Sequence, residues 1–412
     1  MKMNSKDWGW VAVNIGMGIG AGIVFLPIQA GLVGLWTFLL AIALAYPALY
    51  LFQRLYINTL IESRDASDYT STIGEYLGSK WGTALGIIYF VMLLIWLCVY
   101  SETVTNDSAS YIQAAGFTHG LLSENHLYAL LLIGFLVFLA FASKTLMFYL
   151  SKILIVVILL SLVILALMIT PHWDLNNSKA FSTLWGTLFE TVVTLPFAMT
   201  SILFLQSLSP TVVYARSEYK DIAVAKKKAM QIMNYAFFIL GGVVFFFAFS
   251  CTMSITHQEA YNAFVANTSF LAVMNKTIPG GFVPALGVII DICAVTTSFF
   301  GVLLGLHEAC TGLYLNLFAK GRPKETVNMT KVSAGIVGLI VLLGWTATIV
   351  NFPILYFTSI CSPIFAVIGC FIPVLLVYKV DALAKYRNLE SWIIVLTGVL
   401  LVLSPLFALA EN

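Results

Sequence analysis

The sequence predicts an all-α polytopic membrane protein, and two observations lead to that prediction. Hydrophobic residues make up 60% of the 412 positions, whereas Asp, Glu, Lys and Arg together make up only 10%; soluble domains contain roughly 25% charged residues. The hydrophobic residues also form continuous runs long enough for a helix to cross a bilayer. This pattern excludes a soluble domain, a disordered chain and a disulfide scaffold. It also disfavours an outer-membrane β-barrel, whose strands alternate apolar and polar residues.

Hydropathy along the chain predicts eleven membrane spans. The loops between them are short, so we expect residues 1–412 to form a single transmembrane domain. The cysteines are isolated within apolar runs, so we predict neither a disulfide framework nor a metal site. The predicted spans cover residues 8–33, 34–60, 82–113, 126–142, 147–170, 184–213, 229–254, 283–318, 331–350, 354–378 and 390–410.

The basic residues predict the orientation of these spans. If the N-terminus is cytoplasmic, all but two of the 21 Lys and Arg residues fall on the cytoplasmic side, and only Lys179 and Lys276 fall outside. This distribution follows the positive-inside rule, and one missed or invented span would destroy it. We therefore expect a cytoplasmic N-terminus and a C-terminus on the outer side of the membrane.

The first and sixth spans contain residues that interrupt a regular helix. Within a membrane, irregular backbone persists only where it lines a cavity or is buried in protein. An offset of five spans gives two halves of opposite topology, and broken helices at matching positions of such halves are typical of the binding site of a secondary transporter. The alternative is that the glycines allow close helix packing. The interrupting residues are Gly16, Gly18, Gly20, Gly22 and Pro27 in the first span, and Pro196, Ser201, Gln206, Ser207, Ser209 and Pro210 in the sixth.

Broken helices suit a zwitterionic substrate such as an amino acid. Free N–H groups at the start of one half-helix bind a carboxylate, and free C=O groups at the end of the other bind a cation. Tyr100 and Ser101 in the third span either line the same cavity or form interhelical hydrogen bonds, and both alternatives remain open. The other candidate substrate-binding residues are Gly18, Ile19, Gly20, Ala21, Gly22, Ser201, Gln206 and Ser207.

Three of the acidic residues inside predicted spans, none with a basic residue near it, are candidates for a functional role. Glu102 lies in the third span, and Asp291 and Glu308 lie in the eighth. A carboxyl group in apolar surroundings is a candidate for proton coupling. The alternative is that these groups are simply hydrated, and for Glu308, near the inner face beside His307, that alternative is the stronger one.

Thr297 and Ser298 place two hydroxyl groups in the middle of the eighth span. Hydroxyl oxygens bind sodium when carbonyl groups of a broken helix complete the coordination shell. Alternatively, each hydroxyl bonds back to a carbonyl one turn earlier in its own helix.

The chain resembles the hydroxy and aromatic amino acid permease family, and within it the serine/threonine transporter branch, of the amino acid–polyamine–cation superfamily. The resemblance covers essentially the whole chain. The stretches that carry it are IGAGIVFLPIQAG (19–31), VYSETVTN (99–106), LSPTVVYARSEY (208–219), FFAFSCTMSI (246–255), TSFFGVLLGLHEA (297–309) and SPIFAVIGCFIP (362–373).

This resemblance implies a LeuT-like fold in the bacterial inner membrane, with repeats at about 8–170 and 184–378 and an eleventh helix at about 390–410. It implies amino-acid uptake coupled to protons or sodium, without a further cofactor, and a monomer is compatible with it. A serine- or threonine-like substrate is the first expectation and an aromatic amino acid the alternative. By position, Gly20, Ala21 and Gly22 would bind the substrate carboxylate. Gly16, Ile19, Ala294, Thr297 and Ser298 would match the superfamily's second sodium site.

Two other classes of protein compete with a transporter. An intramembrane enzyme would need a catalytic motif, but the sequence has no H-E-x-x-H, no G-x-S-x-G and no P-loop. A channel or sensor would more often repeat a pore element symmetrically, and it would not need broken helices at inverted positions.

Overall fold

The computed structural model describes residues 2–64, 69–114, 116–142, 144–177, 183–265, 282–318, 327–350 and 355–410. Lys179 and Lys276, the two basic residues predicted on the outer side, lie outside these ranges. Within them the chain forms fifteen α-helices. These are α1 Ser5–Val33, α2 Leu35–Ile61, α3 Tyr69–Leu77, α4 Ser79–Ala114, α5 His126–Ala142, α6 Lys144–Met168, α7 Leu184–Thr200, α8 Leu205–Glu218, α9 Ile222–Ser254, α10 His257–Val265, α11 Phe282–Leu317, α12 Met329–Val350, α13 Leu355–Phe365, α14 Ile372–Lys379 and α15 Glu390–Ala410.

Each of the eleven predicted spans corresponds to a helix or to a pair of consecutive helices. Among the described residues, nine helical segments are long and apolar enough to cross a membrane, and α5, with 17 residues, is shorter. The first predicted span coincides with α1. Short 3₁₀ turns at Leu122–Glu124, Thr170–His172, Leu175–Asn177 and Asp381–Tyr386 lie between the helices.

Helix α1 occupies the centre of the bundle, where it packs against α6, α7, α9 and α11. It begins at a capping box, in which Asn4 accepts from the backbone of Asp7 and Asp7 accepts from the backbone of Asn4. It ends at Gly34, whose φ of 86° lies in the region that favours glycine.

The predicted interruption of the first span is not present in this structure, because α1 is a continuous helix from Ser5 to Val33. A glycine weakens a helix by only about 1 kcal/mol relative to alanine. Packing on several sides outweighs that cost for a helix in the centre of the bundle. Pro27 lies inside α1 without ending it.

The sixth span is broken as predicted, between α7 and α8 at residues 201–204. Pro196 does not end α7, which continues to Thr200. Two hydroxyl groups satisfy carbonyls of its last turn: Thr200 donates to the Pro196 oxygen and Ser201 donates to the Ala198 oxygen, both at 2.7 Å. A helix can end inside a membrane when its last carbonyl groups find such donors.

The tenth predicted span is also divided, which the sequence did not predict. A π-helical segment, Ala366–Phe371, separates α13 from α14. Its Gly369 lies against the ring of Phe52 on α2. Helix α15, the eleventh span, packs against this segment and against α7.

Candidate functional site

The candidate cation site lies where α1 meets α11. The Ser298 hydroxyl donates to the Gly16 carbonyl oxygen at 2.9 Å, and the Thr297 hydroxyl lies 3.4 Å from the same oxygen. The Thr297 hydroxyl also lies 3.1 Å from the Ala294 carbonyl oxygen. Ile19 is fully buried one turn further along α1. The structure thus brings together the oxygen atoms of four of the five predicted residues.

The two hydroxyls differ in where they bond. Thr297 does bond back within its own helix, at 2.8 Å from the Cys293 carbonyl oxygen. The Ser298 hydroxyl instead donates its hydrogen bond from α11 to the Gly16 carbonyl of α1. All of these atoms are oxygens, the type of ligand that hard cations take, and both side chains are almost completely buried. The arrangement can therefore hold a small cation if the two hydroxyls rotate to present their lone pairs.

Two of the glycines in α1 allow close approach of neighbouring helices. A Cβ at Gly16 would lie 2.8 Å from the Thr297 Cβ, and one at Gly18 would lie 2.3 Å from a methyl carbon of Leu240 on α9. A Cβ at Gly18 would also lie 3.4 Å from the backbone of Ile202, which lies in the break between α7 and α8. The packing explanation therefore holds for Gly16 and Gly18, and Gly18 also brings α1 against the break. Gly20, Ala21 and Gly22 lie in the backbone of α1, but their surroundings are outside the described structure.

Gln206 begins the second half of the broken span and is only 2% exposed. Pro210 has no N–H to donate to the carbonyl four residues earlier, so the Gln206 carbonyl is free to accept from the Tyr89 hydroxyl at 3.4 Å. A Cβ at Gly305 would lie 3.1 Å from the same carbonyl. Among the described residues, the side-chain oxygen of Gln206 has no hydrogen-bond partner. This side chain is therefore the strongest candidate to contact a substrate.

The other predicted substrate-binding side chains have different surroundings, and the Ser101 hydroxyl, like the Gln206 oxygen, has no hydrogen-bond partner among the described residues. The Ser201 hydroxyl donates to a carbonyl of its own helix, and the Ser207 hydroxyl donates to the Phe204 carbonyl at 2.9 Å. Tyr100 stacks on Trp96, with ring centroids 5.6 Å apart. Ser101 faces α12, where a Cβ at Gly344 would lie 2.8 Å from its hydroxyl oxygen. The structure thus places Ser101 at a helix–helix contact, not beside the broken span.

A second carboxyl group accompanies Asp291. Asp291 accepts from the Tyr111 hydroxyl at 2.6 Å, and its carboxyl group neighbours that of Asp107, which lies with Tyr111 on α4. Two neighbouring carboxyl groups are a candidate site for carrying a proton, because like charges disfavour ionisation of both. Asp107 was not among the residues predicted from the sequence. Its position along the chain was the available signal, because it lies near the C-terminal end of the third span and Asp291 lies near the N-terminal end of the eighth, and adjacent antiparallel spans bring such ends together.

Glu102 and Glu308 have different surroundings. Glu102 is buried within α4, with 1% of its surface exposed. Glu308 accepts from the Tyr69 backbone N–H at 3.1 Å and from the Ser209 hydroxyl. Its carboxylate therefore connects α11 to the start of α3 and to α8. It is bound by protein donors, not merely hydrated.

Buried charges connect α1 to α8 and α9 at one end of the bundle. Lys228 lies 2.9 Å from Asp7, and both side chains are almost fully buried. Asp7 also accepts from the hydroxyls of Tyr214 at 2.9 Å and Tyr219 at 3.0 Å. A buried ion pair is tolerated when further hydrogen bonds satisfy its members, and this one closes that end of the bundle around α1.

Two solved structures share this architecture. MhsT, in complex with L-phenylalanine, aligns with a TM-score of 0.60 and 16% identity over 98% of this chain and 97% of MhsT. Mhp1, a nucleobase-cation-symport-1 family transporter in a closed conformation with bromovinylhydantoin bound, aligns with a TM-score of 0.64 and 10% identity over 98% of this chain and 92% of Mhp1. The chain is therefore a multi-pass membrane protein with the LeuT fold of secondary transporters, as predicted.

Relatives with higher sequence identity assign the chain to a family within this class. No protein-family model matches the chain. The serine transporter of Escherichia coli O157:H7 is 48% identical over 411 residues, which cover 99% of this chain and 93% of that protein. The probable serine transporter of Escherichia coli strain K12 matches with the same identity and coverage. The chain belongs to this serine transporter family, in the serine branch of the hydroxy and aromatic amino acid permeases, whose members are transporters and not enzymes.

Proposed function

We propose that the chain imports serine, or a similarly small hydroxy amino acid, by cation-coupled symport with alternating access. The observation that carries the proposal of an amino-acid substrate is the side chain of Gln206, buried at the start of α8 with an oxygen left without a partner among the described residues. The donors of serine are its ammonium and hydroxyl groups, and a buried acceptor favours ligands that satisfy it. The names of the two relatives support the same substrate.

An aromatic amino acid is the alternative substrate. Tyrosine and tryptophan also carry an ammonium group and a ring O–H or N–H that could donate to the Gln206 oxygen, so the preference for serine rests on the names of the two relatives. A thermal-shift screen of all twenty amino acids discriminates between the two, because a ligand that binds the folded state raises its apparent stability. Serine should give the largest shift, and a larger shift with tryptophan or tyrosine would overturn the assignment.

We propose sodium as the coupling ion, bound by the oxygen atoms of Gly16, Ala294, Thr297 and Ser298, with no further cofactor. Four oxygens from two helices converge there, and no charged side chain is required to bind a monovalent cation in such a shell. The alternative is a proton carried by a carboxyl group, for which the Asp107–Asp291 pair is the best candidate and Glu308 the next. Serine uptake by proteoliposomes under an imposed sodium gradient, compared with uptake under an imposed pH gradient, decides between the two ions.

Transport itself is tested by counterflow. Proteoliposomes preloaded with unlabelled serine should accumulate labelled serine, because only a carrier exchanges one substrate molecule for another. A channel would dissipate the gradient without exchange. No exchange of any amino acid would overturn the proposed function.

We further propose that the protein resides in the bacterial inner membrane with a cytoplasmic N-terminus and a periplasmic C-terminus. The basic residues of the chain support this orientation through the positive-inside rule. Periplasmic labelling of a single cysteine introduced after Ala410 tests it, because a cytoplasmic C-terminus would protect that cysteine from an impermeant reagent.

A further inference from the structure

A polar cavity opens between α2 and the start of α15, away from the broken span. Its volume is about 130 Å³. Arg54 and Asn58 of α2, Lys385 of the 3₁₀ turn Asp381–Tyr386, and Glu390 of α15 supply its polar wall, and apolar side chains of α2 and α15 complete it. The cavity is therefore amphipathic and has no role in the proposed transport site.

The cavity presents charges of both signs. Arg54 forms an ion pair with Glu390 across it. Lys385 lies 2.8 Å from Glu62, and its side chain is 55% exposed. The Glu390 carboxylate would repel a ligand with a single negative charge, and Arg54 and Lys385 would repel a ligand with a single positive charge. The lining therefore suits a ligand that carries both charges.

Asn58 adds an acceptor to this wall. The residue is 8% exposed and lines the cavity. Its side-chain oxygen has no hydrogen-bond partner within the part of the chain that the structure describes. Buried polar atoms are normally paired, so this oxygen indicates a donor that the protein itself does not supply.

The cavity lies at the ends of two predicted membrane spans, where we expect the lipid headgroups. It is at the end of α2 and the beginning of α15, and the first turns of α15 carry exposed apolar side chains. Leu389 is 80% exposed, Trp392 67% and Leu396 60%. Tryptophan at the end of a span is typical of the membrane–water interface. Acyl chains on this surface would bring their headgroup to the cavity.

We propose that this cavity binds the headgroup of a phospholipid that carries a phosphate and a primary ammonium, the chemistry of phosphatidylethanolamine. The phosphate would bind Arg54 and Lys385. The ammonium would donate to the Glu390 carboxylate and the Asn58 oxygen. A choline headgroup has the same charges but no N–H donor, and a glycerol headgroup lacks the cation.

Native mass spectrometry of the purified full chain tests this proposal with three lipids of identical acyl chains, whose headgroups are ethanolamine, choline and glycerol. The first molecule of ethanolamine lipid to bind should bind about tenfold more tightly than the first molecule of choline lipid. One hydrogen bond to a charged group gives a difference of this size. Equal affinity for the ethanolamine and choline lipids, or preference for the glycerol lipid, would overturn the proposal.

Two variants locate the lipid. Lys385→Gln should weaken binding of the ethanolamine and choline lipids alike, because both carry the phosphate, and Asn58→Leu should abolish the preference for the ethanolamine lipid. Lys6→Gln is the matched control, because Lys6 is also largely exposed, forms an ion pair with Glu218 at 2.9 Å, and does not line the cavity. If Lys385→Gln binds the ethanolamine lipid as well as Lys6→Gln does, the proposal is wrong, whether or not Asn58→Leu folds.

Discussion

The Ser298 hydroxyl donates a hydrogen bond of 2.9 Å to the carbonyl oxygen of Gly16, and this bond joins the first and eighth spans. Neither residue is charged, and both are buried. A sodium ion at this position would take both oxygens as ligands and replace the bond between them. Binding of the ion would therefore change the contact between α1 and α11, which is how an ion can control the movement of helices around a substrate.

Ser298→Ala should weaken sodium dependence. The variant removes one oxygen ligand, so the sodium concentration for half-maximal serine uptake should rise about tenfold, with a smaller change in the maximal rate. Uptake by proteoliposomes over a range of sodium concentrations measures this. Thr311→Ala is the control, because its hydroxyl bonds within α11 to the His307 carbonyl and lies outside the site. The same rise in both variants would contradict the sodium assignment.

Gln206→Leu should weaken serine binding while leaving the fold intact. Leucine is similar in size but removes the acceptor at the start of α8, so the KM for serine should rise roughly tenfold or more. Labelled uptake at several serine concentrations measures KM, and a thermal melt without substrate checks the fold. An unchanged KM would remove Gln206 from the substrate site.

Gly16→Ala should destabilise the protein because its Cβ would lie 2.8 Å from the Cβ of Thr297. Thr297 is β-branched and stiff, so α1 and α11 would have to separate at a cost of about 1–3 kcal/mol. The melting temperature in detergent should fall. Gly338→Ala in α12 is the control, since nothing lies within 4 Å of its Cβ position and alanine favours the helix. Equal melting temperatures would show that α1 and α11 separate without cost.

The sequence predicted the fold well because its signals are repeated along the whole chain. Eleven apolar runs and the basic loops each give an independent observation of the same architecture. The break of the sixth span was also predictable, because polar residues and two prolines cluster around it, and Thr200 and Ser201 satisfy carbonyl groups where α7 ends. The continuity of α1 could not be predicted from the sequence, because a run of glycines permits both a break and close packing. Tertiary contacts decide between the two.

The positions of the candidate functional side chains were predicted less well than the fold. Thr297 and Ser298 met Gly16 as expected from the family resemblance. Ser101 faces α12, because the rotation of α4 about its axis cannot be read from polarity alone when polar residues occur on several faces. Asp107 was missed because its partner, Asp291, is distant in sequence and only the packing of α4 against α11 brings the two together.

Asp107→Asn and Asp291→Asn should separate substrate exchange from proton coupling. In either variant an amide replaces one of the two carboxyl groups and can donate to the other, so the pair needs no added proton. If the pair carries the coupling proton, serine counterflow should persist while accumulation driven by a pH gradient is lost. Tyr111→Phe, which removes only the hydroxyl bonded to Asp291, should retain both activities to a large extent. If both Asn variants still accumulate serine under a pH gradient as the wild type does, the Asp107–Asp291 pair does not carry the coupling proton.

Glu62, at the end of α2, should make stability depend on pH in the acid range. Burial by itself would raise the pKa of this carboxyl group, but hydrogen bonds from Lys385 and Tyr386 and the charges of Lys385 and Lys226 outweigh it and hold the pKa below its ordinary value. A carboxyl group with a lowered pKa in the folded state stabilises the fold fully above the pKa of the unfolded chain. That stabilisation is lost as the pH falls through the lower, folded-state pKa.

The matching variant is Glu62→Gln. At neutral pH its melting temperature should be lower than that of the wild type, because the amide cannot pair with Lys385. As the pH falls below the ordinary glutamate pKa of about 4.3, the wild type should lose its advantage and the two melting curves should converge. Glu124→Gln, in an exposed turn far from Lys385, should follow the wild type throughout. A difference between wild type and Glu62→Gln that persists unchanged into acid would show that the ion pairs of Glu62 do not stabilise the fold.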